Sequence, residues 1–155
     1  MADFRTTILS LRTRVLGALQ RLSTWLPALL LRVTLGLVFA STGWGKVHNL
    51  DKVTAFFTEL KIPMPHFNAV LVGYSELICG SLLVLGLAGR LAVVPLAVSM
   101  VVALLTAIRP DIHGVLDLVG KDEWLYLMIL VALGILGPGK ASIDHFIAQK
   151  LDAKS

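Results

Sequence analysis

The chain has 155 residues, 56% of them hydrophobic and 15% charged, with a mean hydropathy of +0.81, a balance that excludes a water-soluble core and indicates one small integral membrane domain. Its single cysteine, Cys79, excludes a disulfide framework, a Cys-x-x-Cys redox pair and a thiolate metal cluster within one chain. The net charge of +4 comes without a basic cluster interleaved with aromatics, so nucleic acid is not an expected partner and the anionic surface of the lipid bilayer is.

Residues 1–25 carry Arg5, Arg12, Arg14 and Arg21, while Phe4, Ile8, Leu11, Val15, Leu19 and Leu22 recur at helical spacing. A basic amphipathic arm lying in the membrane interface is expected there. A cleaved signal peptide fits less well, because basic residues continue through the would-be apolar region and no small-residue cleavage site follows.

The membrane domain is expected over 26–140. Its first span, 26–45, opens around Trp25 and Pro27 and closes at Gly43-Trp44-Gly45-Lys46, residue types suited to an interfacial belt. The one charge within it, Arg32, shares a face with Gly36, Ala40 and Gly43. In the connection that follows, Leu50, Val53, Phe57 and Leu60 predict a short outer interfacial helix over 51–61, stopped by Pro63 and Pro65. It reads as a seal at the membrane surface, or alternatively as a lid.

The second span, 68–88, contains a single formal charge, Glu76. Ala69, Gly73, Glu76 and Gly80 fall on one face at about 100° per residue, so the acid points at protein rather than lipid. Packing the two small-residue faces antiparallel brings Arg32 and Glu76 toward one seam as a buried ion pair. Counted at about 1.5 Å per residue, their backbones differ in depth by about 9 Å, near the limit of the side chains' reach. In the competing arrangement Arg32 snorkels to the headgroups and Glu76 stays protonated. Cys79, on this span, reads as a packing residue.

Arg90 is the sole charge before the third span, 91–108, and so short a turn makes the second and third spans antiparallel neighbours. The loop 109–123 gathers Asp111, His113, Asp117, Lys121, Asp122 and Glu123, but without a recognised ligand spacing, so no metal site is expected. The fourth span, 124–137, rises only about 21 Å and is the weakest. Gly137-Pro138-Gly139 ends it, and 141–155 forms an amphipathic cytoplasmic tail with Ile143, Phe146 and Ile147 on its apolar face. Eight basic residues lie in the arm, the Arg90 turn and the tail, against five in the two opposite loops. This asymmetry favours four crossings with both termini cytoplasmic.

From Leu30 onward the chain resembles the DoxX family of small four-helix membrane proteins. Three signatures carry the resemblance: Leu31-Arg32-Val33-Thr34-Leu35-Gly36 leading to Gly43-Trp44-Gly45-Lys46; Gly73-Tyr74-Ser75-Glu76-Leu77 leading to Leu85-Gly86-Leu87-Ala88-Gly89-Arg90; and Gly137-Pro138-Gly139-Lys140 followed by Ser142 and Asp144. The resemblance implies an all-α, four-transmembrane-helix bundle in the bacterial cytoplasmic (inner) membrane. It also implies a link to electron transfer with quinones, since the family takes its name from a small subunit of thiosulfate:quinone oxidoreductase. Other relatives are regarded as membrane partners in oxidative-stress and thiol systems. Arg32, Gly36, Gly43, Lys46, Glu76 and Arg90 match family motif positions, and Gly73 and Gly80 are read beside them as packing residues.

Three function classes follow. A quinone-interacting redox subunit would use Arg32, Glu76, Tyr74 and Trp44 around the quinone head. With no Cys-x-x-Cys pair, haem-attachment motif or Gly-rich dinucleotide loop, and so no covalently bound cofactor, it would need a soluble or membrane redox partner to carry the electrons. A non-catalytic scaffold recruiting a soluble enzyme is the alternative. A small transporter or proton path is the third, though four short helices leave little room for alternating access.

Overall fold

The computed structural model describes residues 16, 17, 20, 22, 23, 25–137, 139 and 141–152, so the basic arm expected over 1–25 lies almost wholly outside the described residues. Every regular element among the described residues is helical. Helix α1 spans Leu26–Val47, α2 Leu50–Glu59, α3 Pro65–Leu85 and α4 Gly89–Ala103; α5 is the short Val115–Val119, α6 is Asp122–Leu136 and α7 is Ile143–Asp152. Helix α4 continues as a wide π turn, Leu104–Ile108, and a tight 3-10 turn, Arg109–Asp111, where Pro110 has no N–H to prolong the α-helical ladder.

Three of these segments, Leu26–Val47, Pro65–Leu85 and Gly89–Asp111, are long and apolar enough to cross a membrane. Helix α6, with 15 residues, rises about 22 Å, less than the hydrocarbon thickness of a typical bilayer. The second span stops at Leu85 instead of running to 88. Gly86 there takes a left-handed φ of +68°, and the Leu87 and Gly86 N–H groups donate back to the Leu82 and Leu83 carbonyls, each at 3.0 Å. This is the glycine-terminated end that satisfies a helix's last carbonyls.

The four long helices close a ring: α1 packs on α3, α3 on α4, α4 on α6, and α6 back on α1. Leu35, Phe39, Leu83, Leu96, Leu130 and Leu133 fill its centre, with the Phe39 and Tyr126 rings edge to face at 6.1 Å between centroids. Cys79 packs against this core. Outside, the polarity is reversed from that of a soluble bundle. Leu37, Leu71, Ile78, Leu91, Val98 and Leu105 are exposed, while Arg32 and Glu76 are buried. An apolar exterior around a polar-containing interior is stable where lipid is the solvent.

The α1–α3 seam is the closest of these contacts because glycines line it from both sides. A Cβ on Gly80 would stand 2.5 Å from the Ala40 nitrogen, and one on Gly43 would overlap the Leu77 backbone. Such contacts permit backbone-to-backbone approach, and they also set the axial register. Gly43 lies level with Glu76 and Leu77, and Gly36 with Gly80 and Val84.

Candidate functional site

Glu76 projects from the middle of α3 into the glycine-lined seam, and its side chain is 1% exposed. A carboxylate in such surroundings must be paired. Lys46, in the last turn of α1, supplies the charge, its Nζ 2.5 Å from Glu76 Oε1. Thr42, one helical turn earlier, stands with Oγ1 3.1 Å from Oε2. Gly73 makes the reach possible. It lies one turn before Glu76 on α3, and a Cβ there would crowd the Lys46 Cβ at 3.4 Å and the Val47 side chain at 3.3 Å. The lysine stem therefore runs along a groove that any larger residue would narrow.

The Thr42 hydroxyl has one hydrogen and two acceptors within reach, Glu76 Oε2 and the Phe39 carbonyl, both at 3.1 Å. With Glu76 ionised, the hydroxyl donates to the carboxylate. With Glu76 protonated, the acid donates to Thr42 and Thr42 donates to Phe39. Either arrangement is hydrogen-bonded without moving a heavy atom. Lys46, its side chain 31% exposed, and Thr42, an exposed residue, both reach the surface, while Glu76 is enclosed.

The expected pairing of Arg32 with Glu76 is not formed. In the register set by the glycines, Arg32 lies level with Gly86, a further turn beyond Gly36 and away from Glu76. The separation along the bundle is about 16 Å at about 1.5 Å per residue, beyond an arginine's reach. The depth estimate of about 9 Å took the two helix ends to be level, whereas the glycine contacts put Gly36, ten residues into α1, level with Val84 at the end of α3, so α1 extends past α3 on the Arg32 side and Glu76 lies level with Gly43. Arg32 is buried, 3% exposed, but its Nη2 donates to the Ala141 carbonyl instead. It belongs to a second polar cluster at the opposite end of the seam. There Asp144 accepts hydrogen bonds from Ala88 N at 2.8 Å and Gly89 N at 3.1 Å.

Trp44 and Tyr74 are 59% and 47% exposed, and among the described residues neither bonds to Glu76; Trp44 stacks on His48 at 4.1 Å instead. Gly36, Gly43, Gly73 and Gly80 all line the seam, and Arg90 rests its guanidinium beside Gly137. Thr42 was not anticipated, although its spacing of four before Lys46 and three after Phe39 places the three on one helical face. In the 109–123 loop, Asp117 accepts from the His113 N–H at 3.1 Å and Asp111 pairs with Lys121 at 3.6 Å.

The sequence profile of the family described as DoxX matches residues 28–109. A Mycobacterium tuberculosis (strain ATCC 25618 / H37Rv) relative, "Uncharacterized membrane protein Rv3486", is 34% identical over 136 residues, covering 79% of this chain and 82% of its own. A Bacillus subtilis (strain 168) relative named "Putative oxidoreductase CatD" is 31% identical over 121 residues, covering 77% of this chain and 85% of its own. No solved structure matches significantly.

Proposed function

The chain belongs to the DoxX family of membrane proteins, and from that premise we propose that it is the membrane subunit of a redox system, presenting the Glu76–Lys46 pair to the head of a lipid-soluble quinone. A partner protein carries the electrons. The observation behind this reading is the enclosed Glu76 carboxyl, bonded to two side chains that reach the surface, Lys46, one-third exposed, and Thr42, an exposed residue. In the same reading α6 is the fourth crossing and both termini face the cytoplasm.

The donor set fits such a head group. Lys46 has three ammonium hydrogens and Glu76 engages one, which leaves donors for a carbonyl acceptor without breaking the ion pair. A bound quinone supplies a two-electron, two-proton couple. The chain's own part is to hold or release a proton at Glu76, with the Thr42 hydroxyl turning to follow it, and to fix the acceptor at Lys46. The oxidoreductase name of the Bacillus subtilis relative supports the class.

Calorimetric titration of the purified chain with a short-chain ubiquinone analogue tests the reading. Saturable binding that Lys46→Met abolishes and Thr42→Val weakens is the expected result, whereas an absence of binding to the wild-type chain refutes it. A non-catalytic scaffold is the second reading, favoured by one observation. Helix α7 leaves Phe146 and Leu151 67% and 65% exposed. Co-purification of a soluble enzyme that is lost on Phe146→Glu would support it, and a chain that always emerges alone would count against it.

A further inference from the structure

The second polar cluster has a donor arrangement that the Glu76 site does not explain. Arg32 is nine-tenths buried and more, and although Nη2 reaches Ala141, its Nε and Nη1 have no hydrogen-bond acceptor among the described residues. Buried guanidinium N–H groups are normally all satisfied, because each unpaired one keeps its desolvation cost. The guanidinium lies against Gly86, where any Cβ would overlap Nη1, so the missing side chain is what admits the charge to the α3–α4 turn.

On the same turn, the N–H groups of Ala88 and Gly89 open α4, a 15-residue helix. Each donates to a different oxygen of Asp144, at 2.8 and 3.1 Å. Two successive N–H groups at a helix start, each taking one oxygen, form an oxyanion seat. One donor set is thus filled by a carboxylate, and the adjoining guanidinium still has N–H groups to give. The Asp144 carboxylate turns both of its coplanar oxygens to the two backbone N–H groups. The non-bridging oxygens of a phosphate diverge from a tetrahedral centre, so one can face the backbone N–H groups while the other faces the guanidinium.

We infer that Arg32 and the start of α4 form a binding site for a phosphate group, of a phospholipid headgroup or of free phosphate, in which the Asp144 carboxylate is a displaceable stand-in. The location suits a headgroup, since the turn joins two helices long enough to cross the bilayer and so lies at its surface. Displacement has a structural consequence. The Asp144 N–H also donates to the Gly86 carbonyl at 3.1 Å, and Asp144 stands in the first turn of α7. A phosphate that displaces the carboxylate removes two of these three hydrogen bonds and so loosens the C-terminal helix on the bundle.

Native mass spectrometry of the full chain in mild detergent tests this, with phosphatidylglycerol, diacylglycerol of the same acyl chains, and inorganic phosphate as probes. One retained phosphatidylglycerol per chain, with no retained diacylglycerol, is expected. Asp144→Asn removes the competing charge and should tighten retention about tenfold; Arg32→Lys keeps the charge but loses the planar fork and should weaken it about tenfold. Competition by inorganic phosphate would identify free phosphate as a sufficient ligand, and retention without competition would assign the lipid headgroup. Deuterium exchange over Ile143–Asp152 should rise when the lipid binds. Equal retention of diacylglycerol, or unchanged retention in Asp144→Asn, would overturn the inference, and the Asp144→Asn arm remains readable should Arg32→Lys fail to fold.

Discussion

The Lys46 ammonium and the Glu76 carboxylate meet 2.5 Å apart in the α1–α3 seam, the lysine one-third exposed and the acid enclosed. The pair is therefore asymmetric. If the acid is neutralised, Lys46 can still turn toward the interface; if the lysine is removed, Thr42 is the one side chain among the described residues still bonded to Glu76. A buried carboxyl left without its cation keeps its desolvation cost without the compensating attraction.

Lys46→Met should accordingly destabilise the bundle more than Glu76→Gln. Removing one partner of a buried pair costs about 3–5 kcal/mol, and Glu76→Gln should fall below that range because Lys46 retains partial hydration. Thermal unfolding in mild detergent gives the ranking, and a larger loss from Glu76→Gln would contradict the asymmetry.

Gly43→Ala forces a Cβ onto the Leu77 backbone, so α1 and α3 must separate. Overpacking of this kind costs about 1–3 kcal/mol. Gly45, two residues on, has open space around it, and Gly45→Ala should be neutral or stabilising by up to about 1 kcal/mol through helix propensity. Equal melting temperatures for the two variants would show that the seam is not closely packed.

Gly86 and Ala88 make opposite predictions from the same turn. Both have left-handed backbone, with φ of +68° and +49°. Gly86→Ala introduces backbone strain and collides with Arg32, and should lower stability by at least about 1–2 kcal/mol. Ala88→Gly relieves strain and should be neutral or stabilising by a fraction of that. Abundance and melting temperature of the two variants check the pair.

Asp144→Ala deletes the two side-chain hydrogen bonds that cap α4 and tie α7 to it, leaving the backbone bond from residue 144 to the Gly86 carbonyl. A lost N-terminal cap costs about 1 kcal/mol, and limited proteolysis should then release the Ile143–Asp152 helix before the four long helices are cut. Simultaneous cleavage throughout would show that this helix is not a separate unit.

The faces of the helices were legible in the residues themselves. Ala69, Gly73, Glu76 and Gly80 are all buried on α3, and Arg32, Gly36 and Gly43 on α1, because helical periodicity fixes which residues share a side. Periodicity does not fix how far one helix slides along another. That offset depends on backbone contacts such as Gly43 against Leu77 and Gly80 against Ala40, and it moved the partner of Glu76 from Arg32 to Lys46. The role of Asp144 was hidden for a similar reason. Its two donors, Ala88 and Gly89, are brought to it only when the chain end returns to the α3–α4 turn. The three motif segments that carry the family resemblance meet in these two clusters. Glu76 lies with Lys46 at one end of the seam, and Arg32, Gly86 and Asp144 meet at the other.

The most direct test of the central claim is a pair of double-mutant cycles on thermal stability in mild detergent, one for Lys46 with Glu76 and one for Arg32 with Glu76. Groups in direct contact couple by about 0.5–3 kcal/mol and distant ones add within about 0.5 kcal/mol. The Lys46–Glu76 cycle should show coupling in the upper half of that range and the Arg32–Glu76 cycle none. Strong coupling between Arg32 and Glu76, with Lys46 and Glu76 merely additive, would contradict the account.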